Sequence, residues 1–94
     1  MAWFQIAYRP DVVGDLRKVD APTAQRLLDK TKWLASNVGN LRHEPLASDF
    51  PHLSKYAVGD WRIVYAIHQE DKQVVVHWLA HRRDLYDGGV APVP

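Results

Sequence analysis

Between Leu53 and Ala80 three apolar segments follow one another with little between them. LSKYAV and WRIVYAI flank the pair Gly59-Asp60, and QVVVHWLA follows the polar stretch QEDK. β-Branched and aromatic residues are concentrated in all three. Two such runs around a Gly-Asp pair carry the short-range signature of a β-hairpin. The third run is too continuous to alternate, as in a strand covered on both faces. The segments predict three sequential strands of an antiparallel sheet.

The upstream half supplies the cover. WFQIAY, from Trp3 to Tyr8, reads as a first strand that Pro10 and Asp11 break. DVVGDLRKV places Val12, Leu16 and Val19 on one helical face, with Gly14 weakening the helix. APTAQRLLDKTKWLASNVGN gives the longer helix: Ala24, Leu27, Leu28, Thr31, Leu34, Ala35 and Val38 recur at helical spacing. Pro22 suits its first turn and Gly39 a C-terminal cap. NLRHEPLASDFPH, with two prolines and no period, reads as a loop. The expected architecture is α+β, in the order β-α-α-β-β-β. Two N-terminal helices cover one face of an antiparallel sheet, and the other face is left to carry a site. Residues 1–87 form one domain, and DGGVAPVP leads into a tail over 88–94 that only a partner would order.

Composition narrows the function. The chain has 94 residues, 47% of them hydrophobic, which suffices for one small core. It has no cysteine, so disulfides and thiolate metal sites are excluded, and a reducing cytoplasm is the expected location. MAWFQIAYRP lacks the pattern of a signal peptide, and no apolar run is long enough to span a membrane. The net charge of +1 argues against a general nucleic-acid binder, so any such role must come from local placement of cations. The five histidines show no metal-ligand spacing, and no cofactor is expected.

Five residues are the candidates for chemistry. Lys55 lies in the second strand, Arg62 begins the third, His81 and Arg82 end the fourth, and Tyr86 closes the segment HWLAHRRDLY. Antiparallel neighbours bring cations from three strands toward one another. Guanidinium forks bind phosphate with paired hydrogen bonds, and a tyrosine ring stacks on an unpaired base. Such a group suits metal-independent RNA cleavage by the RNA's own 2′-hydroxyl. Each residue also has an ordinary account. Arg62 pairs with Asp60 or Glu70, Lys55 protects an edge, Arg83 pairs with Asp84 or Asp87, and Tyr86 anchors the tail.

KYAVGDWRIVYAI followed by VVVHWLAHRRDLYD resembles the RelE/ParE superfamily of toxins from bacterial type II toxin–antitoxin pairs. The resemblance runs from about Trp3 to Asp87, and IAYRPDVVGDLRKV is similar to the family's first strand and helix. It implies a compact toxin on the RelE-like branch: an endoribonuclease, or mRNA interferase, that cuts mRNA on the ribosome and is neutralised by a cognate antitoxin. Arg62 then matches the strand arginine on the scissile phosphate, and Arg82 the second catalytic arginine. Tyr86 matches the base-stacking tyrosine, and Lys55 the first of two strand lysines proposed to aid proton removal. Ala57 stands at the second lysine position. His81 is the first substitute for that lysine, with His52 and Glu44 behind it. The alternatives are a ParE-like non-enzymatic inhibitor of DNA gyrase and an inactive family member. The expected antitoxin segment is acidic and covers the cations, Tyr86 and the tail.

Overall fold

The structure, a computed structural model, describes residues 3–86; the expected tail over 88–94 lies outside the described residues. The chain runs β1 (Gln5–Tyr8), α1 (Asp11–Leu16), α2 (Ala21–Ser36), a 3₁₀ turn (Val38–Asn40), β2 (Glu44–Ala47), β3 (Phe50–Val58), β4 (Trp61–His68), β5 (Gln73–His81) and α3 (Arg82–Tyr86). The sheet order is β1-β5-β4-β3-β2.

The α+β class and the two helices on one sheet face are as expected. Leu27, Leu34 and Ala35 of α2 and Val12 of α1 pack on Ile63, Tyr65, Val74, Val76 and Leu79 of the sheet. Leu27, Ile63, Val74 and Val76 are fully buried, each contributing about 1.5–3 kcal/mol of apolar transfer. Thr31, the buried polar residue of α2, donates to the Leu28 carbonyl and accepts from the Tyr8 hydroxyl, each at 2.7 Å.

Several details differ from the sequence reading. The sheet is mixed: β1 pairs with β5 in parallel, Gln5 opposite Gln73 through Tyr8 opposite Val76. The two helices form the long crossover that a parallel pairing needs. The segment read as a loop holds β2 and the start of β3, with Ala47 opposite Phe50. Pro45 is tolerated because β2 is an edge strand, and Pro51 because β3 meets β4 only from Ser54 onward. Asn37, not Gly39, closes α2: its side-chain amide and its backbone N–H both donate to the Trp33 carbonyl. Arg82 does not end the strand: RRDLY leaves the sheet after His81 as α3. The second sheet face is consequently not bare, because Leu85 of α3 joins Leu53, Val64, Ala66, Trp78 and Ala80 in a cluster of their own.

The hairpin is as read. Val58 pairs with Trp61 around Gly59, which sits at φ 59°, a left-handed conformation that glycine adopts without strain.

Candidate active site

Register decides which candidates meet. Lys55 stands opposite Val64 and Ala57 opposite Arg62, while Arg62 faces Ala80 on its other side. Side chains alternate along a strand, so Lys55, Arg62, Val64, Trp78 and Ala80 share the face opposite α1 and α2. Lys55 and Arg62 are diagonal neighbours there, at a typical separation of roughly 7–8 Å. Glu44 of β2 is directly across from Lys55, and its carboxylate lies 3.7 Å from the ammonium. Lys55 is largely buried beside this partner, at 13% side-chain exposure.

Arg62 and Arg82 both reach the β3–β4 turn. Nη1 of Arg62 donates to the carbonyls of Gly59 (3.0 Å) and Trp61 (2.9 Å). The Arg82 backbone N–H donates to the Asp60 carbonyl at 2.7 Å, and its guanidinium lies 3.8 Å from the Asp60 carboxylate. That ion pair is exposed and individually weak, but the backbone bond fixes where Arg82 starts. A third arginine comes from α2: the Arg26 guanidinium lies 3.8 Å from where a Cβ on Gly59 would sit. Sequence reasoning missed Arg26, because it lies on the helix, far from the hairpin in the chain.

His81 is placed differently. It pairs with Trp61, on the face of the helices, with the two rings edge to face at 5.4 Å. Its Nδ1 accepts the Arg83 backbone N–H at 3.1 Å, so the neutral ring carries its proton on Nε2. The sheet therefore lies between His81 and the Lys55–Arg62 face. His52 is exposed near the start of β3. Tyr86 is the last residue of α3, and its side chain lies outside the described part of the structure.

Two further groups are tuned by burial. Burial pushes the Tyr65 phenol up to about 12, with a smaller contribution from Tyr56. The hydroxyl is 2.6 Å from His43 Nδ1, and His43 Nε2 is 2.8 Å from the Val38 carbonyl. Nε2–H therefore donates to Val38 and Nδ1 accepts from Tyr65. His77 is the extra residue of a β-bulge, since Val64 pairs with Trp78 and Tyr65 with Val76. Desolvation holds its imidazole below the ordinary value, followed by Arg9, His52 and His68. Among the described residues no group of three or more His, Asp or Glu is arranged to hold a metal ion, and no helix is long and apolar enough to cross a membrane.

The fold has known counterparts. The family model described as "ParE toxin of type II toxin-antitoxin system, parDE" matches residues 6–86. No curated protein sequence matches significantly. Among solved structures, the RelBE2 toxin–antitoxin complex from Mycobacterium tuberculosis aligns with TM-score 0.78 and 20% identity, over 89% of this chain and 97% of that one. An Escherichia coli RelE mutant with two arginines replaced by alanine, in the free state, aligns with TM-score 0.69 and 17% identity, over 93% and 90%. The archaeal RelE–RelB complex from Pyrococcus horikoshii aligns with TM-score 0.65 and 18% identity, over 87% and 97%. At these identities the structures establish a shared fold, and the family match extends over nearly the whole described chain. The chain belongs to the ParE toxin family of type II toxin–antitoxin systems and carries the RelE fold.

Proposed function

We propose that this toxin is a metal-independent endoribonuclease that cuts mRNA, on the ribosome, and is silenced by a cognate antitoxin. The observation that carries this reading is that Arg62 and Arg82 both reach the Gly59–Trp61 turn, with Lys55 on the Arg62 face. Two guanidiniums anchored at one turn suit a single phosphate that gains charge as a 2′-oxygen attacks it.

Glu44 is the better base on this geometry. It shares the face of Lys55 and touches it, whereas His81 is across the sheet. Glu44 takes the 2′-hydroxyl proton, and the 2′-oxygen forms a bond to phosphorus as the bond to the 5′-oxygen breaks. Lys55 gives that oxygen its proton. The products are a 2′,3′-cyclic phosphate and a 5′-hydroxyl end. Tyr86, the last residue of α3, is the base-stacking candidate by family resemblance. An acidic antitoxin segment lying over Lys55, Arg62 and Arg82 would block the phosphate site.

The test is induction of the wild-type toxin and of Arg62→Ala/Arg82→Ala in a bacterial host. Growth arrest with new 5′-hydroxyl RNA ends in the wild type only is the expected result. Equal cleavage by both would remove the arginines from the mechanism. A second reading, inhibition of DNA gyrase without catalysis, is favoured by the family match to ParE toxins. Loss of supercoiling activity when purified gyrase meets the toxin would select it.

A further inference from the structure

A cavity of about 880 Å³ opens beside the described cations, between α1, the end of β5 and α3. It exists because β1 stops short. The β1 pairing ends at Tyr8 opposite Val76, and the Arg9 N–H makes a last bond to the Val76 carbonyl before Pro10 turns the chain into α1. Beyond that point β5 has no strand on this side. The Leu79 N–H, which points outward there, is capped by Asp15 of α1 at 2.9 Å.

We infer that this cavity holds an unpaired, amino-bearing nucleobase of the RNA; the inference rests on the ribonuclease reading and specifies how the substrate is seated. Three observations lead there. The lining includes Trp61, Trp78 and His81, whose rings suit a planar heterocycle. The rim mixes the carboxylates of Asp11 and Asp84 with the cations of Lys18 and Arg83. A nucleotide offers both complements: exocyclic amino donors for the carboxylates and phosphates for the cations. A lone arginine or lysine side chain from a protein would meet Lys18 and Arg83 as repulsion.

The third observation is Gly14. It sits inside the six-residue α1, where glycine costs about 1 kcal/mol relative to alanine. Its φ is not positive and a Cβ there would meet nothing within 4 Å, so neither backbone conformation nor packing calls for it. What its missing side chain does is leave the cavity open. The position also fits the phosphate site. Ala80 lines the cavity and is the register partner of Arg62, so the cavity begins one strand spacing, roughly 5 Å, from the Arg62 strand. A base next to the scissile phosphate can reach it.

The test follows the indole N–H signals of ¹⁵N-labelled toxin during titration with AMP, GMP, CMP and UMP. The Trp61 and Trp78 signals are assigned by Trp→Phe replacement. The expected result is saturable movement of both with the amino-bearing nucleotides, UMP binding about tenfold more weakly for want of the donor. Gly14→Leu, which fills the cavity from a helical position with open space, abolishes the movement, while Gly14→Ala keeps the fold and most of the binding. Equal response to all four nucleotides, response to inorganic phosphate alone, or response only to N-acetylarginine amide would overturn the assignment. The last would mark an anchor for a basic side chain of a protein partner. Cleavage by the wild type with no nucleotide response would sink this inference alone. Nucleotide response without cleavage would support the cavity and sink the ribonuclease reading.

Discussion

A single hydroxyl shows how this small core is kept specific. Tyr65 is 1% exposed, yet its phenol is hydrogen-bonded to His43, which in turn holds the Val38 carbonyl. The pair ties the connection after α2 to the centre of the sheet. Tyr65→Phe leaves His43 Nδ1 without its donor and should cost about 1–2 kcal/mol in urea unfolding. The phenol titrates near 12 in the folded chain and near 10 when unfolded. The unfolded state therefore releases its proton first, and stability that is intact below pH 10 declines between pH 10 and 12. Phenolate absorbance should show one tyrosine ionising last, and Tyr65→Phe should remove that step. His77 works in the acid range. Its imidazole is held below 6.5 by desolvation, so the unfolded chain binds the proton first and stability declines as pH drops below 6.5. His77→Gln should flatten that decline in pH-dependent thermal melts.

At the scale of elements, α1 is a short helix with little local support. It has six residues, a glycine in its interior and no side-chain N-cap bond. Gly14→Ala should raise stability by about 1 kcal/mol, seen as a higher melting temperature. Asp15→Ala removes the acceptor of the Leu79 N–H and should cost about 1–2 kcal/mol, with faster hydrogen exchange at Leu79 as its local signature. The β3–β4 hairpin and α2 were legible in the sequence because their signals are local: Gly59 between two apolar runs, and Leu27, Thr31 and Leu34 at helical spacing. β2 was not, because EPLA has no period and two residues per face, and its strand exists only by pairing with β3. The parallel partner of β1 and the helix in HRRDLY were also hidden, since both depend on contacts with residues far away in the chain.

The molecule as a whole puts its main core on one sheet face and two of its candidate cations on the other. α1 and α2 hold the main core against one face. The other face carries Lys55 and Arg62 beside a smaller apolar cluster capped by Leu85. The candidate site was partly legible for the same reason. Arg62, Arg82 and Lys55 could be placed by strand order, whereas the side of the sheet that His81 takes depends on the β5 register, and the approach of Arg26 depends on how α2 packs. Glu44 gained its partner only when β2 proved to be a strand. Arg62→Lys should recover little of the activity lost in Arg62→Ala, because an ammonium cannot hold both turn carbonyls, as Nη1 does, and still present a planar fork of N–H groups to a phosphate. A loss of about 10²–10³-fold in cleavage rate by either variant is the size expected for a group that stabilises the transition-state charge.

The proposed role of Arg62 and Arg82 in RNA cleavage is open to experiment. Its most direct measurement is transcriptome-wide mapping of new RNA 5′ ends after brief induction of the toxin, with and without a translation inhibitor, beside Arg62→Ala/Arg82→Ala. The expected result is new 5′-hydroxyl ends inside coding regions that vanish both when translation is blocked and in the double variant. Growth arrest with no new ends, accompanied by inhibited gyrase, would contradict it.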